Sequence, residues 1–155
     1  MAAEVNSQAP DFVLFDTKRE TVSLDAFRGK KVVIAFFPAA FTGVCEAELC
    51  TFQDSLTDLN DLNATVVAIS VDSPFSNAAF TEKNKIKYPI LSDYARSTIN
   101  AYGVMHDDFS GMPGYVAAKR SIFVVDERGM IVYKWVAEHP GKEPIYEEIK
   151  VVLGE

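Results

Sequence analysis

A chain of 155 residues, 48% of them hydrophobic, is long enough for one domain with a real core, and that apolar content is ordinary for a globular protein. The net charge of -7, with Lys and Arg scattered and no basic stripe, argues against nucleic acid as a partner and reads as solubility. No low-charge apolar run is long enough to span a membrane, and Met1-Ala2-Ala3-Glu4 lacks the basic and apolar regions of a signal peptide, so the expectation is a soluble, cytoplasmic protein without membrane association.

In chain order, Phe12–Leu14 and Val22–Leu24 read as a small hairpin. Val32–Phe37 is a buried strand that stops at Pro38. Glu46 to about Asn60 has Leu49, Phe52, Leu56 and Leu59 on one face and predicts a helix. Thr65–Val71 is a second buried strand. Ser73 is placed to cap a helix that has Pro74 at its first position and ends near Lys85. Tyr88–Leu91 is a short extended piece, and Asp93 can cap a helix running to about Tyr102. Gly103–Lys119, with Gly111, Pro113 and Gly114, reads as a long loop, and loops of that length are often functional. Ser121–Asp126 and Met130–Trp135, joined through Glu127-Arg128-Gly129, form a hairpin, and Pro144 opens a last helix to about Leu153. Strand-helix-strand units followed by an antiparallel hairpin imply an α/β chain: a mixed central sheet flanked by helices on both faces, within one domain over residues 1–155. That order resembles the thioredoxin-like fold.

Cysteine usage then narrows the chemistry. Cys45 and Cys50 are too few for a disulfide framework. His106 and His139 do not join them at a metal-ligand spacing, so no metal is expected, and neither histidine is assigned a role. Cys45 follows the strand end at Phe37 by eight residues, at the first turn of the predicted helix, where polarised backbone N–H groups favour a negative sulfur. It shares the apolar stripe of Leu49, Phe52 and Leu56 and should face inward. Thr42 or Gly43 is the expected N-cap, and Thr42 can instead aim its hydroxyl at the sulfur. Glu46 and Glu48 in the same turn oppose a negative sulfur, so a reactive thiolate requires a compensating cation. Arg120 is the candidate, because it precedes a strand that can run beside Val32–Phe37; a solvated arginine at a strand end is the alternative.

Pro38, Thr42 and Cys45 make the pattern Pro-x-x-x-Thr-x-x-Cys within FFPAAFTGVCEAEL, which resembles the peroxiredoxin active-site segment of the AhpC/TSA superfamily. The stretch looks most like the small one-cysteine AhpE-like type. Ala9–Phe12, Val67–Ser73, Tyr88–Asp93 and Arg120–Asp126 resemble the family's other segments, so the likeness covers nearly the whole chain. Glu46 departs from the proline that many members carry there, which changes the charge and backbone of the first turn.

The resemblance implies a thiol-dependent peroxidase acting on hydrogen peroxide and organic hydroperoxides, with peroxynitrite a further candidate. Cys45 would be the peroxidatic cysteine and become a sulfenic acid. Thr42, the Cys45 backbone N–H and Arg120 would donate hydrogen bonds to the peroxide oxygens. Pro38 would shield the sulfur, and Glu48 would order the arginine. No metal or organic cofactor is implied. The implied partners are the peroxide, a thiol reductant such as thioredoxin, glutaredoxin or a small thiol, and a second copy in a homodimer, for which Phe41 and the 103–119 loop are candidate surfaces. Phe80 stands where the family often has an aromatic residue near the pocket, with core packing as the plainer expectation.

Cys50 has the spacing of the resolving cysteine in the bacterioferritin-comigratory branch, while the AhpE-like surroundings suggest a one-cysteine enzyme. Five helical residues place Cys50 about 140° around from Cys45 with Cα atoms about 8.6 Å apart, beyond the roughly 7 Å a disulfide spans. Joining them requires the helix start to unwind. Cys50 is expected on the polar face with Glu46, Asp54 and Thr57, where a surface cysteine without a role, or one with an intermolecular role, is the alternative. Three other functions compete: a disulfide oxidoreductase, which would call for Cys-x-x-Cys; a peroxide sensor or chaperone using the same site; and a cysteine hydrolase, for which no histidine has an evident place beside Cys45.

Overall fold

The computed structural model describes residues 3–154; Met1, Ala2 and Glu155 lie outside the described residues, and with Met1 and Ala2 the start of the segment read above for a leader. The strands are β1 (Val13–Phe15), β2 (Thr21–Ser23), β3 (Lys31–Phe36), β4 (Ala64–Ser70), β5 (Ile90–Ser92), β6 (Met105–His106), β7 (Ala117–Ala118), β8 (Ser121–Val125) and β9 (Ile131–Val136). The α-helices are α1 (Gly43–Asp54), α2 (Leu56–Asp61), α3 (Pro74–Asn84), α4 (Ser97–Ala101) and α5 (Tyr146–Val152). Seven strands form one mixed sheet in the order β2-β1-β5-β4-β3-β8-β9. β3, β4 and β5 run parallel, and β8 lies antiparallel to β3 with Ala35 opposite Ile122.

The central strands carry runs of consecutive apolar residues, Val32–Phe36, Val66–Ile69 and Ile122–Val125, because both faces of the sheet are covered. Val32, Ile34 and Phe36 of β3 enter one core with Phe123, Tyr102 and Ile99 of α4. Val33, Ala35 and Phe37 enter the other, with Leu49 and Phe52 of α1, Leu59 of α2, Phe80 of α3 and Ile149 of α5. This second core contains Cys45.

Four expectations need correction. The helix read from Glu46 to Asn60 begins at Gly43 and breaks at Ser55, whose φ of -93° and ψ of 1° leave the helical region. Serine competes with the helix for backbone partners, and the break lets Leu59 bury on the sheet. The 103–119 segment is not all loop: β6 and β7 pair antiparallel, with Met105 opposite Ala118, and a 3-10 turn spans Phe109–Gly111. The helix capped by Asp93 starts later, at Ser97, although the Asp93 carboxylate still accepts from Thr98 N–H (3.2 Å) and Ile99 N–H (2.8 Å). The last helix starts at Tyr146 rather than Pro144. Ser73 caps α3 as expected, its hydroxyl accepting from Ser76 N–H, with Pro74 in the first turn.

Candidate active site

β3 ends at Phe36, and Phe37 N–H still bonds Ile69 O (3.0 Å), so the chain leaves the sheet at Pro38, which is buried. Proline cannot continue the ladder, and the next four residues turn the chain into α1. Phe41 takes a left-handed φ of 65°, unusual for a large side chain. Its half-exposed ring meets buried Phe80 edge-on, with centroids 5.4 Å apart. Thr42 is the N-cap of α1 and its backbone O accepts from Glu46 N–H at 2.9 Å.

This turn places Cys45 fully buried, one turn into the helix. The register of β3 against β8 brings Arg120, 75 residues away in sequence, to the same point. Each nitrogen of its guanidinium is used: Nη2 donates to Cys45 Sγ at 3.1 Å, Nη1 to Glu48 Oε1 at 2.6 Å and Nε to Pro140 O at 3.0 Å. A planar fork with three fixed partners is held in one orientation, which a lysine could not reproduce. Arg120 is therefore a buried ion-pair member and not a solvated strand end.

Glu48 is fully buried, and its second oxygen, Oε2, has no hydrogen-bond partner. Burial pushes its carboxyl up to about 7, with Glu143 adding in the same direction and Arg120 pulling the other way.

Two expected orientations differ. The Thr42 hydroxyl does not point at sulfur; it donates to Ala39 O at 2.9 Å, closing the turn that its extended backbone makes. Cys50 is not on the open polar face. It is half-buried against α3, with Sγ 3.5 Å from Asn84 Oδ1. Burial, Asp54 and Glu46 push its thiol up, opposed by Lys83. Both cysteines are free thiols.

Sequence reasoning missed two participants, the Pro140 carbonyl that holds Arg120 Nε and the Asp72 carboxylate, whose Oδ2 accepts from Ala40 N–H at 2.7 Å. Asp72 lies two residues past Ser70, the polar end of β4, a signal that was available; nothing local marked Pro140. His106 and His139, far apart in sequence, both line a cleft of about 540 Å³ that Arg120 borders, together with Lys119, Asp107 and Glu138. Among the described residues, no three His, Cys, Asp or Glu side chains gather as a metal site.

The AhpC/TSA family model matches residues 5–134. The chain belongs to the AhpC/TSA family. Among its AhpC/TSA relatives, chloroplastic peroxiredoxin Q of Triticum aestivum is 34% identical over 94% of this chain and 65% of its own length. A putative peroxiredoxin bcp of Coxiella burnetii is 35% identical over 87% of this chain and 89% of its own. The crystal structure of peroxidoxin BcpB from Mycobacterium tuberculosis superposes with a TM-score of 0.87 at 26% identity, covering 97% of this chain and 96% of that one. These relatives carry the Q and bcp names. The chain is thus a peroxiredoxin with the thioredoxin-like fold, a thiol-dependent peroxidase by family.

Proposed function

We propose that Cys45 is the peroxidatic cysteine of this peroxiredoxin, reducing hydrogen peroxide and organic hydroperoxides, with peroxynitrite a further substrate. The observation that carries the reading is the 3.1 Å contact from Arg120 Nη2 to Cys45 Sγ, both side chains buried. A cation donating to the sulfur favours its thiolate form over the thiol. The thiolate attacks the terminal oxygen of the peroxide, the O–O bond breaks, and the leaving oxygen takes a proton from solvent and departs as water or alcohol. Sulfur is oxidised by two electrons to the sulfenic acid, and the peroxide is reduced. Arg120 and the Cys45 N–H are donors for the charge that develops on the peroxide oxygens. The Thr42 hydroxyl joins them by rotating away from Ala39 O. Pro38 walls the sulfur from water, and Glu48 keeps Arg120 in place.

Cys50 is the candidate resolving cysteine. In the folded helix it is turned toward Asn84, so it attacks the Cys45 sulfenic acid, releasing water and forming the disulfide, only after the first turns of α1 unwind. A thiol reductant such as thioredoxin, glutaredoxin or a small thiol then returns both thiols. A homodimer working in the cytoplasm, each copy one thioredoxin-like domain, completes the proposal; exposed Phe41 and Met112 are candidates for the shared surface.

Stopped-flow reaction of the reduced protein with hydrogen peroxide tests the core of this reading. Wild type and Cys50→Ser should oxidise fast, and Cys45→Ser should consume no peroxide. Oxidation at the rate of a free thiol, or activity retained in Cys45→Ser, would refute it. Mass spectrometry after one equivalent of peroxide should find a Cys45–Cys50 disulfide in wild type and a sulfenic acid in Cys50→Ser; a stable sulfenic acid in wild type would remove Cys50 from the cycle. Sedimentation velocity tests the dimer.

A further inference from the structure

The segment from Pro38 to Phe41 links two elements but belongs to neither; Ala40 packs on the core that contains Cys45, and in the proposed function this segment is the wall that shields the sulfur. Its internal bond, Thr42 hydroxyl to Ala39 O, ties the turn to itself and not to the body of the protein. One side-chain hydrogen bond does that. Ala40 N–H donates to Asp72 Oδ2 at 2.7 Å, across 32 residues of sequence. Asp72 follows the end of β4, the strand parallel to β3, and is itself held on several sides. Its backbone N–H donates to Ser70 Oγ (3.1 Å), the Ser70 hydroxyl lies 3.2 Å from its Oδ2, and its backbone O accepts from Ser92 Oγ (2.5 Å) on β5.

Buried Asn77 extends this network, its Oδ1 lying 3.3 Å from Ser70 Oγ while its Nδ2 has no partner. Turning that amide over lets Nδ2 donate to Ser70 Oγ and leaves the Ser70 hydroxyl proton for Asp72. Asp72 is then fixed by Ser70 at the end of β4, itself tied to Asn77 of α3, and by Ser92 at the end of β5, and its Oδ2 takes both the Ser70 hydroxyl and the loop's Ala40 N–H.

The need for such an anchor is visible at the next residue. Phe41 sits at a φ of 65°, a conformation that costs a large L-residue of the order of 1–3 kcal/mol and persists only where the surroundings impose it. Two contacts impose it here: the Asp72 bond on the preceding peptide and the Phe80 ring against the Phe41 side chain.

We infer that Asp72 is a positioning residue for the peroxidase reaction, its carboxylate clamping Ala40 N–H and through it setting the Pro38–Thr42 wall against the Cys45 sulfur. This rests on the reading of Cys45 as the peroxidatic cysteine. Asp72 touches neither sulfur nor peroxide; it acts by where it holds the loop. Misplacing such a wall by about an ångström is enough to slow a reaction by about 100-fold.

The test compares two reactions of Cys45 in the Cys50→Ser background: oxidation by hydrogen peroxide, which needs the donors and wall in register, and alkylation by iodoacetamide, which needs only an accessible thiolate. In Asp72→Ala, peroxide oxidation should fall about 10- to 100-fold while alkylation is not slowed. Asp72→Asn keeps an acceptor of the same shape for Ala40 N–H and should recover most of the peroxide rate. If neither reaction slows in Asp72→Ala, or both fall together, the inference is overturned, because the loop is then held without Asp72 or the whole site is lost with it. It is equally overturned if Asp72→Asn is as slow as Asp72→Ala. A wild-type protein that is slow with peroxide refutes instead the peroxidatic reading of Cys45, before any Asp72 variant is compared.

Discussion

Arg120 and Glu48 show how a buried charge pair can serve reactivity at a cost in stability. Arg120 offers one N–H to the reacting sulfur, and the Glu48 and Pro140 bonds determine where that N–H points. Breaking a buried pair leaves an uncompensated charge, typically worth about 3–5 kcal/mol. Arg120→Met should therefore lower stability toward the low end of that range, since Glu48 can take up a proton, and slow peroxide oxidation by about 100-fold or more. Adding Glu48→Gln should restore stability in urea unfolding but not the oxidation rate. Recovery of both would mean that Arg120 acts on the fold alone. Glu48 also gives a signed pH effect. Its carboxyl is raised from an ordinary 4.5 to about 7, so between those values the native state binds more protons than the unfolded one. Its contribution is present below pH about 4.5 and is lost as pH rises through about 7. The wild-type melting temperature minus that of Glu48→Gln should therefore fall across this interval, and a flat difference would argue against the buried, raised carboxyl.

The element that must change shape in the proposed cycle is α1. Its first turns are strapped to α3 by the Phe41–Phe80 ring contact, the Lys83–Glu46 ion pair at 3.0 Å and the approach of Cys50 to Asn84. Lys83 also lies over the Phe41 ring, 5.7 Å from its centroid. The ion pair is 61% and 29% exposed, so it is worth at most about 1 kcal/mol. The strap is weak enough to open on demand. Phe41→Ala and Lys83→Ala should each speed formation of the Cys45–Cys50 disulfide by a few-fold after a peroxide pulse, as read by acid quench and mass spectrometry. Unchanged rates would place the barrier elsewhere in α1. The break at Ser55 separates this unit from α2, whose Leu59 stays packed on the sheet.

Across the whole molecule, the sheet divides two cores, and the site hangs from one of them. Phe123 of β8 packs between Phe36 (centroids 5.9 Å) and Tyr102 (5.0 Å) on the face away from Cys45, three residues along the chain from Arg120. Phe123→Ala should cost about 3–5 kcal/mol in equilibrium unfolding. Because Arg120 directly precedes the same strand, loosening that register should also slow Cys45 oxidation. A destabilised variant with a normal rate would separate the two cores functionally.

What a single stretch of sequence could determine here is local. Val32–Phe37 is apolar at consecutive positions because a strand covered on both faces has no solvent side. Ser73-Pro74 starts a helix because the hydroxyl and the fixed proline φ act within one turn. Pro38, Thr42 and Cys45 mark a strand-to-helix junction with a thiol at its first turn. Even Arg120 was readable as a candidate, since in the thioredoxin-like fold that the element order resembles, its strand can run beside Val32–Phe37, though a solvated strand-end arginine stood as the alternative. The remaining features depend on which distant groups meet. The Thr42 hydroxyl turns to Ala39 O because the loop's backbone closes that way. Cys50 faces α3 because the α1–α3 packing covers a side that amphipathic counting leaves polar. Asp72 reaches Ala40 across 32 residues, and Arg120 reaches Cys45 across 75, because parallel and antiparallel pairing with β3 brings the strand ends together. Backbone propensity acts over a few residues, so it determined the elements and the position of the thiol; the surroundings of that thiol were decided by sheet register and helix packing, which exist only in the folded chain.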